Sequence, residues 1–182
     1  MKEILFLQMK ILVFSDSHGH CDRMINVTKE FISKNNILNY IIHLGDLVQD
    51  AKYLQERFPD IPVLYVYGNC DYSVNRSDDE KEYELGGKKF FILHGHTRNV
   101  KFSPDTLKTL AEQKKYDIIL YGHTHEPKED YISNGTEPNG VQTGTYIINP
   151  GSITYDKSGR GKSYCVIDIT KNDLCANIIR IN

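Results

Sequence analysis

Seven side chains with ligand chemistry fall into five short clusters of this chain. Asp16 and His18 lie in Ser15-Asp16-Ser17-His18-Gly19, Asp46 follows Gly45, and Asn69 lies in Gly68-Asn69-Cys70-Asp71. His94 opens His94-Gly95-His96, and His123 and His125 lie in Gly122-His123-Thr124-His125. Imidazole, carboxylate and amide oxygen suit manganese, iron, cobalt, nickel or zinc, and no thiolate is needed. Seven such donors suffice for two adjacent divalent cations. Two ions roughly 3.5–4 Å apart are the arrangement used for in-line attack at phosphorus. In Asp16-x-His18 and His123-x-His125, residues two apart on an extended chain project to the same side, so each pair is expected to converge on a common centre. A glycine beside most clusters lets the backbone turn sharply and approach closely. A lone Gly-Asp is a common turn, and one histidine at a strand end is an ordinary polar residue. Five such clusters in succession, each behind an apolar run, are neither.

Those apolar runs are the elements that must position the clusters. Residues 10–14, 40–44 and 63–67 read as strands, the first apolar throughout, as in a strand covered on both faces. Met24, Val27 and Phe31, with Ile25, Thr28 and Ile32, repeat at helical spacing and predict an amphipathic helix over 21–34. Residues 51–58 predict a short helix stopped before Pro59 and Pro62. Residues 82–85 and 88–93, joined by Gly86-Gly87, predict a hairpin. Ser103-Pro104 supplies a hydroxyl cap and a first-position proline for another helix. Leu107, Leu110 and Ala111 form its buried stripe, and 117–121 is the next strand. Beyond Gly122 the pattern becomes strands joined by turns, over 127–132, 141–148, 162–169 and 174–181. Two facing sheets with helices outside would satisfy both halves. In open α/β sheets, ligands bind at the carboxyl ends of strands. Five strand ends therefore deliver the seven donors to one expected rim.

Composition narrows the class. The 182 residues carry 22 Lys+Arg against 24 Asp+Glu, a formal charge of −2, with 40% apolar residues. That length predicts one domain over 1–182, large enough for its own core. A dedicated nucleic-acid binder would show a basic excess gathered on one face. The early apolar run 4–7 is far short of the ~18 residues a membrane helix needs. No small-residue cleavage site follows it, so no signal peptide is expected. Cys21, Cys70, Cys165 and Cys175 form no C-x-x-C pair, which fits a reducing cytoplasm. Met9 would itself make a natural start, leaving 1–8 as an edge strand or an N-terminal extension. Gly161-Lys162-Ser163 ends like a phosphate-binding loop, but Asp156 stands where its first glycine belongs.

Taken in order, the five motifs resemble those of the calcineurin-like metallophosphoesterases. With Cys70 after Asn69, the Gly122-to-His125 motif and Asn149-Pro150-Gly151-Ser152, the series is similar to their small bacterial and archaeal phosphodiesterase branch. The resemblance spans Met9 to the C-terminal strands. It implies an α/β fold, a four-layer αββα sandwich of two mixed sheets with flanking helices and a dinuclear metal site at the strand carboxyl ends. One metal would be held by Asp16, His18 and His125, the other by Asn69, His94 and His123, with Asp46 bridging. Manganese is the first expectation for both ions, with iron, zinc, nickel or cobalt as alternatives. The implied enzyme is a metal-dependent phosphodiesterase acting on a small diester, with a water activated between the ions as nucleophile. No G-x-S-x-G elbow supports a serine esterase.

The catalytic candidates are Asn69, Cys70, Asp71 and His96. Many relatives carry histidine after the motif's asparagine, where it acts as general acid; here that position is Cys70. A thiol, with an unperturbed pKa of about 8.5, is a poorer proton donor. Aryl or otherwise activated diesters are therefore expected to be cleaved better than alkyl monoesters, and Cys70 also has a purely structural reading. Asp71 is expected to orient a neighbouring ligand. His96 would contact phosphate, donate a proton or lie on the surface. His43 is expected buried behind the site, His20 is a weaker candidate for substrate contact, and 149–152 reads as a structural turn. Tyr72 and Tyr155 read first as packing residues and second as pocket lining. Two rivals remain: a non-catalytic protein-interaction scaffold like the retromer subunit of this fold, and a nuclease. A complete donor set argues against the first. A slightly acidic chain with no basic stripe beyond Lys88-Lys89 and Lys114-Lys115 argues against the second. The expected partner is a small phosphodiester substrate, with no membrane and no nucleic acid; a homo-oligomer is left open.

Overall fold

A computed structural model describes residues 8–72, 78–103, 105–136, 142–155, 157, 159, 161–171 and 173–181. The chain runs β1 (Met9–Phe14), α1 (Cys21–Ser33), β2 (Tyr40–His43), α2 (Val48–Arg57), β3 (Val63–Tyr65), β4 (Glu80–Leu85) and β5 (Lys88–Leu93). It continues through α3 (Asp105–Lys114), β6 (Ile118–Tyr121), β7 (Lys128–Thr136), β8 (Gln142–Asn149), β9 (Lys162–Ile169) and β10 (Leu174–Ile181). One sheet has the order β10-β9-β1-β2-β3, the other β4-β5-β6-β8-β7. Both are mixed: β1 pairs parallel with β2 but antiparallel with β9, and β6 pairs parallel with β5 and β8 while β7 is antiparallel to β8.

Side-chain alternation along β1 explains its unbroken apolar run. Ile11 and Val13 enter the core between the sheets, against Phe90, Ile92, Ile118 and Leu120. Leu12 and Phe14 point to the other face, where Met24 and Val27 of α1 and Ala51 and Leu54 of α2 cover them. On the second sheet, Phe91, Leu93 and Ile119 are covered by Leu107 and Ala111 of α3. Three apolar layers separate helix, sheet, sheet and helix, which makes the four-layer αββα sandwich of two mixed five-stranded sheets.

Most predicted elements stand within a residue or two of their observed limits; the larger differences are at the start of α2 and at the end of β7, which runs to Thr136 instead of 132. β3 stops at Tyr65 because Tyr67 N–H turns to Asp78 O, 2.9 Å away, instead of continuing the ladder. α2 begins at Val48 rather than 51, because Val48 N–H donates 2.7 Å to Asp71 Oδ1 from a distant loop. Ile32, placed on the buried stripe of α1, is 38% exposed. α3 opens with Asp105 N–H donating to Ser103 Oγ at 3.2 Å, the expected hydroxyl cap. Residues 1–7, Pro104, Val141 and Asp156, on which other expectations fell, lie outside the described residues.

Candidate metal centre

The five clusters follow β1, β2, β3, β5 and β6 and come together at the carboxyl ends of those strands. Asp16, His18, Asp46 and His125 each place one ligand atom within 4.8 Å of the others. His125 Nε2 lies 3.0 Å from Asp16 Oδ1 and 3.4 Å from His18 Nε2, which is 3.7 Å from Asp46 Oδ2. A second group forms around His94 Nε2, which lies 3.1 Å from Asn69 Oδ1, 3.1 Å from His123 Nδ1 and 3.4 Å from Asp46 Oδ1. Asp46 is common to both, one oxygen facing each group.

The donor chemistry fits cations at these positions. His94 Nδ1–H donates 2.7 Å to Leu44 O, so Nε2 is the ring nitrogen left to face two further oxygens. Lone pairs that face one another at about 3 Å repel unless a cation lies between them. Asp16 Oδ1 is buried without a hydrogen-bond donor; its contact with His125 Nε2 is short but off the line of a hydrogen bond. A buried carboxylate oxygen left bare is costly, and a metal removes that cost. Asp16 Oδ2 is satisfied by Ser15 Oγ and, at 3.1 Å, by His123 N–H. Burial alone would raise the Asp16 pKa; contact with His125, the charges of His94 and His125, and Ser15 outweigh it and hold the carboxyl below its usual range. His123 falls to about 4, through burial first and then the charges of His94 and Lys101.

Convergence here does not use extended backbone. Asp16, His18, Asp46, His123 and His125 all have positive φ, between 45° and 69°. Left-handed residues other than glycine cost of order 1–3 kcal/mol each and concentrate at functional sites. The extended-chain expectation for the two paired motifs is therefore corrected. Asp16 and His18 still meet at one group, but His125 joins them while His123 turns to His94. Two glycines make room for this. A Cβ on Gly68 would lie 2.2 Å from Asp46 Oδ1, and one on Gly122 would lie 2.0 Å from Ser15 Oγ.

Several groups fix the loops from behind. Asp71 accepts from the N–H groups of Asp46 (3.0 Å), Gly68 (2.8 Å) and Val48 (2.7 Å). His43 is fully buried; Gly45 N–H donates to its Nδ1 at 3.3 Å, so Nε2–H donates to Ser17 Oγ at 2.9 Å. Ser17 in turn donates to Asp50 Oδ2 at 2.7 Å, and burial brings the His43 pKa down to about 4. The 149–152 segment, read from the sequence as a structural turn, braces the site loops. Asn149 Nδ2 donates to Gly122 O and Thr124 Oγ1, while Ser152 and Thr154 hydroxyls both donate 2.9 Å to Asp16 O. Cys70 is exposed and meets Asp46 Oδ1 through its backbone N–H at 2.9 Å; burial and then Asp46 push its thiol pKa up. His96 has its ring centroid 5.4 Å from that of His94, and its Nε2 lies 3.8 Å from Asp79 Oδ2. Burial, then the His94 charge, lowers its pKa. His20 is exposed at the start of α1 and makes no side-chain cap. Tyr72 and Tyr155 are 91% and 59% exposed, so neither is a packing residue. A groove of about 660 Å³ lies at the other end of the second sheet, between Lys88, Lys115, Tyr131 and Tyr146, and contains none of these residues. Convergence of side chains that could hold a metal, rather than cavity size, locates the candidate site.

Comparison with known proteins supplies the family. The family model for the calcineurin-like phosphoesterase superfamily domain matches residues 9–172. The probable metallophosphoesterase YsnB of Bacillus subtilis is 31% identical over 166 residues, covering 91% of this chain and 86% of its own. Phosphodiesterase MJ0936 of Methanocaldococcus jannaschii is 28% identical, covering 79% and 83%. A crystal structure of a predicted phosphoesterase from Streptococcus pneumoniae superposes with a TM-score of 0.71 at 26% identity, over 96% of this chain and 90% of that one. A Vps29 variant from Entamoeba histolytica shares the fold, with a TM-score of 0.64 at 18% identity over 96% and 100%. With this match over nearly its whole length and these residues at its strand ends, the chain belongs to the calcineurin-like phosphoesterase superfamily and is a metal-dependent phosphoesterase.

Proposed function

We propose that this enzyme hydrolyses a small phosphodiester at a dinuclear centre, with manganese as the first candidate for both ions. The observation that carries the reading is Asp46, whose two oxygens face two separate groups of nitrogen and oxygen donors. Asp16, His18 and His125 would hold one ion, and Asn69, His94 and His123 the other. When bound, such ions would lower the pKa of a bound water and offset charge on the phosphoryl oxygens. The chain's own part is to fix these donors, which Asp71, Ser152 and Asn149 do through backbone contacts. His96, beside His94 and His123, is the protein group for contact with phosphate or for protonation of the leaving oxygen. Cys70 is a poor acid for that task, so activated aryl diesters are the favoured substrates. The name of MJ0936 as a phosphodiesterase supports a diester over a monoester.

The reading extends to a single domain over 1–182 that works in the cytoplasm. Among the described residues no helix is long and apolar enough to cross a membrane. A formal charge of −2 argues against a long nucleic acid as substrate. The scaffold alternative rests on the Vps29 fold alone. The deciding experiment is a screen of aryl and cyclic-nucleotide diesters with Mn²⁺, alongside His123→Ala and metal analysis of the purified protein. Turnover that His123→Ala lowers by ~100-fold or more, with two ions per chain, is the expected result. Loss of a directly ligating group exceeds the 10–100-fold typical of supporting residues. Absence of stoichiometric metal after purification with Mn²⁺, together with no diester cleaved, would leave the scaffold.

A further inference from the structure

Tyr155 combines a fixed position with an exposed ring. Its N–H donates to Ser152 Oγ at 2.9 Å, and that hydroxyl donates to Asp16 O at 2.9 Å. Two hydrogen bonds therefore index the Tyr155 backbone to the backbone carbonyl of Asp16. Arg23 of α1 ties the same loop down, donating to Thr154 O at 3.1 Å and Ile153 O at 3.4 Å. Ile153 beneath it is fully buried. The ring meets His125 edge-on, with centroids 6.0 Å apart and planes at 77°, yet 59% of the residue remains open to water. An aromatic surface held this firmly in water costs hydration without returning packing. Such a residue supplies contact area at low entropic cost when a flat ligand arrives. Phe102 is more exposed still, at 91%, but among the described residues its ring meets no site histidine.

We propose that Tyr155 is a specificity-determining residue, its exposed ring stacking on a planar aryl or nucleobase substituent of the ester whose phosphate lies at the Asp16–His18–His125 side of the centre. The assignment rests on the phosphoester reading of that site and adds the class of substituent it selects. The Ser152 tether sets where the ring stands relative to Asp16, and His125 limits its tilt. A ring so placed reaches the group attached to phosphorus, not the phosphoryl oxygens themselves.

Phenylphosphonate and methylphosphonate separate the two contributions, because both offer the same phosphoryl oxygens and neither has an ester bond to hydrolyse. Binding is measured by calorimetry on the full chain with Mn²⁺. Aromatic pairing contributes ~0.5–1.5 kcal/mol, so the phenyl ligand should bind wild type roughly 3–10-fold tighter than the methyl ligand. Tyr155→Ala should abolish that preference while leaving methylphosphonate affinity unchanged, Tyr155→Phe should keep it, and Phe102→Ala should not alter it. Equal binding of the two ligands by wild type, or a preference that survives Tyr155→Ala, would overturn the assignment. If neither phosphonate binds wild type, the phosphoester reading of the site fails and the assignment falls with it.

Discussion

His43 is buried behind the two donor groups and bonded to Gly45 and Ser17, and it carries a signature that can be measured. Burial, opposed only in part by Asp16, Asp50 and Asp71, brings its pKa to about 4. The ring stays neutral in the folded chain down to that pH, whereas the unfolded chain protonates near 6.5. Between those values the unfolded state binds more protons, so stability is complete above pH 6.5 and is lost as pH falls toward 4. For a fully buried ring the loss is about 3 kcal/mol across the window. Urea unfolding with EDTA at pH 7 and pH 4.5 should therefore show a large drop for wild type and a clearly smaller one for His43→Gln. An identical drop in both would mean that His43 does not set the acid limit. The variant will also start from lower stability, since Ser17 loses its donor; the slope with pH, not the baseline, is the test.

The loops that follow the strands are where local sequence and tertiary context part company. β1, β9 and β10 were legible because short apolar-rich runs of six to eight residues are strand-length and are bounded by polar or turn residues. The ligand types were legible because each cluster sits directly behind such a strand. The start of α2 was not, because its first N–H is capped by Asp71, 23 residues away. The separation of His123 from His125 came from the family resemblance and not from residue spacing, since left-handed backbone at both residues follows from the surrounding packing rather than from Gly122-His123-Thr124-His125 itself. Asp71 is the element-scale case to test. Its carboxylate joins the loop after β2 to the loop after β3 through three backbone N–H groups. Asn in its place keeps one acceptor but turns an amide NH₂ toward N–H donors. Asp71→Asn should cost ~1–3 kcal/mol of metal-free stability, read by urea unfolding. It should also weaken Mn²⁺ binding by ~10–100-fold, as loss of a supporting residue does. Wild-type stability and metal affinity combined with lost turnover would instead place Asp71 in the chemistry.

At the scale of the whole molecule the modest charge takes on a different meaning. Two divalent cations would contribute +4 to a formal −2, so an anion would meet a net positive chain whose positive charge is concentrated at one rim. The five left-handed candidate ligands belong to the same balance, because Asp16, His18, Asp46, His123 and His125 weaken the metal-free fold at the place the proposed ions would occupy. Binding to the folded chain alone stabilises it by RT ln(1 + [L]/Kd), about 2.7 kcal/mol at a hundredfold excess over Kd. For a chain of this length each kilocalorie raises Tm by about 2–4 °C. Mn²⁺ at that excess should therefore raise Tm by roughly 5–10 °C, with EDTA reversing the shift and Mg²⁺, a poor match for imidazole donors, giving much less. His94→Ala removes a donor from the second group only, so it should keep part of the shift, while Asp46→Ala, common to both groups, should lose nearly all of it. Equal shifts in the two variants would mean that the groups do not share Asp46, and a single-ion site would then describe the rim better than a dinuclear one.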